Sequence, residues 1–210
     1  MTKLFVYLDL VGPLLALPFF FIRGRKHSQS TAIIVCFLAI QLLANCWGKV
    51  LMHMNSRNIF VYQANAFLSC LVVSLYFVVQ FKNSFSPRSF RWVKVYWALS
   101  STLILLLLFF EDASFFNSLS YTFTGFTLCS FSVLYYLHHL LHVTDENPVK
   151  TSSFWTVTAF FIYYSTSFFI FFYYRIFSRS PIADFQVLWG IHNFVLFLAC
   201  LLLIKASKHS

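Results

Sequence analysis

The stretch AIQLLANCWGKV, residues 39–50, decides how this chain is read. It is an apolar run with Gln41, Asn45 and Lys49 set into it. Residues four apart share one face of a helix, so the three polar side chains form a single stripe. Lipid offers no hydrogen-bond partners. If this helix lies in a membrane, other parts of the protein must hold those groups.

Composition puts it there. The chain has 210 residues, of which 60% are hydrophobic, 21% aromatic and 10% charged, with a mean hydropathy of +0.75. Soluble domains carry about 25% charged residues. Twenty-nine phenylalanines are too many for one aqueous core, so lipid must be the solvent for most of the surface. The net charge of +9 does not indicate nucleic acid, because the basic residues sit in short loops between apolar runs, as in membrane proteins. Cys36, Cys46, Cys70, Cys129 and Cys200 all lie inside apolar runs and read as small hydrophobes rather than a disulfide framework. The first apolar segment lacks a basic leader and a small-residue cleavage site, so it is read as a span and not as a removed signal.

A spanning helix needs about 20 apolar residues. Seven segments meet that length: 4–22, 31–52, 59–80, 93–110, 116–138, 153–174 and 186–204. The joining loops are too short for a soluble domain. The expected fold is all-α: a polytopic seven-transmembrane-helix bundle forming one domain, 1–210. Lysine and arginine set the orientation. With the N-terminus outside, Arg23, Arg25, Lys26, Lys82, Arg88, Arg91, Lys94, Lys150, Lys205 and Lys208 fall inside. Lys3, Lys49, Arg57, Arg175 and Arg179 fall outside. The imbalance favours an outer N-terminus and a cytoplasmic C-terminus. Pro13 and Pro18 lie within the first span, where they would kink the helix or, alternatively, form a hinge or line a cavity.

The intramembrane polar residues have a common level. Such groups are costly in lipid and usually face the bundle interior. Counting about 1.5 Å of rise per residue places Asp9, Asn45, Lys49, Gln63, Asn65, His192 and Asn193 in the outer half, with Gln186 at the rim. Gln41 continues the stripe of the second span. The inner half is mostly Leu, Val, Ile and Phe. Lys49 either pairs with Asp9 or snorkels to the outer interface. Asn45 and His192 lie too deep to snorkel; they hydrogen-bond between helices or contact a ligand. The sixth segment, FWTVTAFFIYYSTSFFIFFYY, faces lipid or lines an aromatic pocket, and Tyr163, Tyr164, Ser165 and Thr166 would add polar contacts at mid-depth.

Reactive constellations are scarce. His138 and His142 share a helix face in YYLHHLLH, yet no second histidine cluster accompanies them, so no metal site is expected and they read as interfacial. A retinal protein would need a lysine in mid-helix 7, and Lys205 is too terminal. Asp9 is the one carboxylate within a span, and His192 with Asp9 the one acid–base couple available. No catalytic residues, metal or cofactor are expected.

Three stretches carry a likeness to a known group: VYQANAFLSCLVVSLYF, FWTVTAFFIYYSTSFFIFFYY and LWGIHNFVLFLACLLL. With the seven-span length they resemble small, uncharacterised integral membrane proteins of Bacteroidetes-type bacteria. Some of that group are associated with sensor histidine kinases. The resemblance implies a bacterial inner-membrane location. It would place an acidic residue in the third span, where this chain has Gln63 and Asn65. The expected function is a membrane-embedded sensory or signal-relaying module. It would bind a small molecule or lipid through Asp9, Gln41, Asn45, Lys49, Gln63, Asn65, His192 and Asn193. Its expected partners are the lipid bilayer and a sensor kinase or other signalling protein, with oligomer formation open and no nucleic acid. The alternatives are a small-molecule transporter and a structural subunit of a larger membrane complex.

Overall fold

A computed structural model describes residues 5, 7–23, 29–82, 84–110, 118–142, 147–177 and 185–209. Seven α-helices are present among them: α1 (Leu8–Arg23), α2 (Gln29–His53), α3 (Ile59–Lys82), α4 (Pro87–Phe110), α5 (Ser118–Leu141), α6 (Ser152–Phe177) and α7 (Phe185–Ser207). The expected loops containing Arg25, Lys26, Glu111, Asp112, Asp145, Glu146, Arg179 and Asp184 lie outside the described residues, as do Lys3 and the side chains of Arg23, Arg175 and Gln186.

Five helices, α2, α3, α4, α6 and α7, are long and apolar enough to cross a membrane. The other two differ from expectation in informative ways. α1 is apolar but has 16 residues, about 24 Å at 1.5 Å per residue. α5 has 24 residues, ample length, but its serines, threonines, tyrosines and histidines dilute its hydropathy. Several of these hydroxyls are satisfied locally, as Ser130 donates to Phe126 O and Ser132 to Leu128 O, each at 2.9 Å. α4 starts at Pro87, one turn and a half before the apolar run does, because proline suits a first helical turn. Helix α1 runs through both Pro13 and Pro18.

The packing order is a ring. α1 lies against α2 and α7, α2 against α3, α3 against α5, α5 against α6, and α6 against α7. α4 sits outside the ring, against α3 and α5. Only 17% of its most apolar 18-residue window is buried, against 44–50% in the other four long apolar helices. Two close approaches need glycine. A Cβ on Gly125 of α5 would stand 2.9 Å from Phe168 Cβ and 3.0 Å from Phe168 Cα and Tyr164 O on α6. A Cβ on Gly12 of α1 would stand 3.1 Å from Phe197 Cα on α7. α2 ends in a Schellman motif: Ser56 N donates to Leu51 O, Asn55 N to Met52 O, and Asn55 takes φ 53°.

The end where α1 begins and α2 turns into α3 is the N-terminal end. The other carries Lys82, Arg88, Arg91, Lys150 and Lys205 and is the basic end. The basic half of the interior is filled by aromatic side chains. Phe37 meets Phe160 edge-on at 5.3 Å, Tyr76 meets Phe160 at 5.6 Å, and Phe77 stacks on Phe131 at 5.6 Å. These rings join α2, α3, α5 and α6 across the centre, so this half is a packed core and not a channel.

Candidate functional site

The polar residues of six helices meet in the N-terminal half of the ring; α4 contributes none of them. They form three connected groups rather than one open pocket.

The deepest group joins α2 to α3. Gln41 Nε2 donates to Asn65 Oδ1 at 3.2 Å and to Ser69 Oγ at 2.8 Å. Asn65 Nδ2 returns a bond to Gln41 Oε1 at 3.4 Å, and Ser69 Oγ donates to Asn65 Oδ1 at 3.1 Å. Asn65 also reaches Tyr121 of α5 at 3.5 Å. A carboxamide pair suits apolar surroundings because each amide offers both donors and an acceptor. The spacing that makes it possible is local: Asn65 and Ser69 are one helical turn apart on α3.

The second group joins α1 to α2. Asp9 is 2% exposed, and Lys49 Nζ lies 2.5 Å from its Oδ2. Asn45, one turn before Lys49, donates to the Asp9 backbone carbonyl at 3.3 Å. The Lys49 ammonium also stands 5.9 Å from the Tyr7 ring, a cation–π distance. Of the two readings open for Lys49, pairing is the one adopted. Asp9 Oδ1 is buried and has no hydrogen-bond partner among the described residues. A carboxylate can accept about four hydrogen bonds, and among the described residues Lys49 is the one side chain that donates to it.

The third group joins α6 to α7. Ser167 Oγ donates to Tyr163 O at 2.7 Å and lies 3.2 Å from His192 Nδ1, while Tyr163 Oη lies 3.3 Å from His192 Nε2. The serine proton is spent on the carbonyl, so Nδ1–H must be the donor to Ser167. Nε2 then accepts from the tyrosine, an assignment made from the bonding pattern. The rings of Phe171, Tyr163 and Trp189 stand 5.1, 5.2 and 5.6 Å from the imidazole. Asn193 points the other way and donates to Phe5 O at 3.2 Å.

Between the first and third groups lies a cavity of about 10 Å³, lined among others by Gln41, Asn65, Ser69, Tyr121, Tyr163 and Tyr164. One water needs roughly 10–15 Å³ and two to four polar partners. Tyr164, 4% exposed, lines this space, and its hydroxyl has no hydrogen-bond partner among the described residues.

Of the eight site residues expected from sequence, six take part in these groups, and Asn193 bonds Phe5 O instead. Gln63 takes no part: it is only half-buried, on α3 but off the Asn65–Ser69 face. His192 and Asp9 belong to separate groups, so the acid–base couple is not formed. On α6, Tyr163 and Tyr164 face inward, whereas Ser165 bonds its own helix at Ile162 O. Ser69, Tyr121 and Ser167 were not singled out as contributors to the site. For Ser69 and Ser167 the four-residue spacing from Asn65 and Tyr163 was the available signal. Tyr121 is buried in the interior. His138 and His142 do stack on each other at 4.5 Å, far along the chain from His192. No group of three or more metal-ligating side chains occurs among the described residues.

No protein-family model matches the chain, and no curated protein or solved structure is similar to it.

Proposed function

We propose that the chain is a multi-pass membrane protein with seven spans, an outer N-terminus and a cytoplasmic C-terminus, acting as a sensory or signal-relaying module. Kinship with the kinase-associated bacterial group, and hence the bacterial inner membrane, belongs to the same reading. The observation that carries it is the buried Asp9–Lys49 pair, with Asp9 Oδ1 lacking a hydrogen-bond partner among the described residues. Intramembrane charges are expensive and mark functional positions. Here the pair holds α1 to α2, and a hydrogen-bond donor or cation arriving at Asp9 would compete with Lys49. Such an exchange changes a helix–helix contact, which is what a relay requires. The ligand would be small and polar, because Asp9 is only 2% exposed and what it offers is a carboxylate. A larger molecule would have to separate α1 from its neighbours.

The experiment is gentle purification from the native membrane, with mass spectrometry of everything retained. A signalling protein, such as a sensor kinase, or a small polar compound retained by the native chain and lost from Asp9→Asn supports the proposal. A large stable assembly indifferent to that substitution sinks it in favour of a structural subunit. That second reading rests on the Gln41–Asn65–Ser69 network, whose members mainly satisfy one another. Transport is disfavoured by the aromatic filling of the basic half.

A further inference from the structure

A second concavity lies at the opposite end of the protein and outside the ring. It is a cleft of about 740 Å³ between the peripheral α4 and α5, within the roughly 300–1,000 Å³ usual for small-molecule sites. Its deep part is apolar, walled by Trp92, Val93, Tyr96, Phe131, Leu134 and Leu137. Its mouth is polar, formed by Ser84, Ser86, Ser89, His138 and His142. From His142 back to Phe131 the wall runs eleven residues, about 16 Å at 1.5 Å per residue. Half of a hydrocarbon core of about 30 Å is about 15 Å. The whole cleft, histidine mouth included, is therefore about as long as half the hydrocarbon core, and its apolar part is somewhat more than half of that.

We propose that this cleft is a binding site for one membrane phospholipid with an anionic phosphate headgroup, its acyl chain lying along α4 and α5. The polarity gradient along the cleft has the sense of a lipid's: an apolar wall from Phe131 to Leu137, about 9 Å long at 1.5 Å per residue, then hydrogen-bonding side chains. The mouth offers donors. His138 and His142 stack at 4.5 Å, and Phe85 packs on His138 at 4.7 Å. His142 engages His138 O through Nδ1, and neither ring's Nε2 has a partner among the described residues. Among the described residues no Lys or Arg lines the cleft itself; the preference for an anionic headgroup rests on the basic residues at this end of the bundle. Arg88 precedes Ser89 in the first turn of α4, and Lys82, Arg91, Lys94 and Lys150 lie at the same end. The described residues at this end carry no acidic side chain; in the sequence Asp145 and Glu146 follow α5. Basic residues near an anionic surface attract it by about 1 kcal/mol each. A bound lipid would also supply α4 with the contact that the ring does not.

The test uses the full chain, purified in detergent and stripped of lipid. It is titrated with phosphatidylglycerol and with phosphatidylcholine of the same acyl chains, and bound lipid is counted by native mass spectrometry. Phosphatidylglycerol should be retained in preference. The Arg88→Gln substitution should weaken that retention about fivefold, and His138→Ala/His142→Ala should weaken it further without affecting phosphatidylcholine. Leu134→Trp, which fills the apolar part, should reduce both lipids. If that variant does not fold, Leu137→Trp places the same plug from an exposed position. Equal retention of the two lipids overturns the anionic preference. Retention of phosphatidylglycerol undiminished by either plug overturns the site.

Discussion

Asp9 and Lys49 carry opposite charges at a depth where neither is stable alone. Removing one partner of a buried pair leaves the other charge uncompensated and typically costs about 3–5 kcal/mol. Lys49 retains 17% side-chain exposure, so Lys49→Met should cost about 3 kcal/mol, at the lower end of that range. Asp9→Asn/Lys49→Met together should recover much of the loss. Thermal unfolding in one detergent, compared across the four members of this cycle, checks both statements. The Gln41–Asn65–Ser69 triangle is less costly to break. Interhelical hydrogen bonds in membranes average about 0.6 kcal/mol and reach about 1.7. Gln41→Leu should therefore destabilise by about 1–2 kcal/mol, and an unchanged unfolding midpoint would show that Asn65 and Ser69 find other partners.

At the scale of the helix, Gly125 is the least forgiving close approach, because backbone atoms face it. An added methyl would press on Phe168 Cα and Tyr164 O, which are backbone and cannot swing away. Overpacking of this kind costs about 1–3 kcal/mol. Gly125→Ala should therefore lower the stability of the α5–α6 contact, read as increased amide exchange in both helices. Gly48→Ala should be milder, since the atom it meets first is the hydroxyl end of Tyr62, at 2.8 Å. Helices α5 and α1 also show how far hydropathy alone reaches. α5 has the length of a span but spends its surface on hydroxyls bonded to its own backbone. α1 is apolar but short, and it is the helix that carries Asp9.

At the scale of the molecule, a ring of six helices encloses a polar N-terminal half and an aromatic basic half, with α4 attached outside. The proposed orientation places the α2–α3 turn outside and the α3–α4 turn inside. Single cysteines at Asn55 and Ser86, in a chain cleared of its own five, should label from opposite sides of intact cells or spheroplasts. Asn55 should react from the outside and Ser86 only after permeabilisation. The reverse pattern would invert the topology.

Composition and the spacing of apolar runs were enough to read an all-helical membrane protein, because the need to bury every backbone polar group in lipid leaves few alternatives. They also located the polar level, since the 1.5 Å rise per residue converts sequence position into depth. Depth is one coordinate of three. Which side chains at that level meet depends on the rotation of each helix about its axis and on the order of helices around the ring. Those are set by packing between residues far apart in the chain. Thus sequence could offer Asp9 as a partner for Lys49 but not exclude snorkelling, and it could not separate Gln63 from Asn65, two residues away on the same helix. Nor could it expose the cleft beside α4. That cleft exists because α4 packs outside the ring, a choice made by the fit of its neighbours and not by its own sequence.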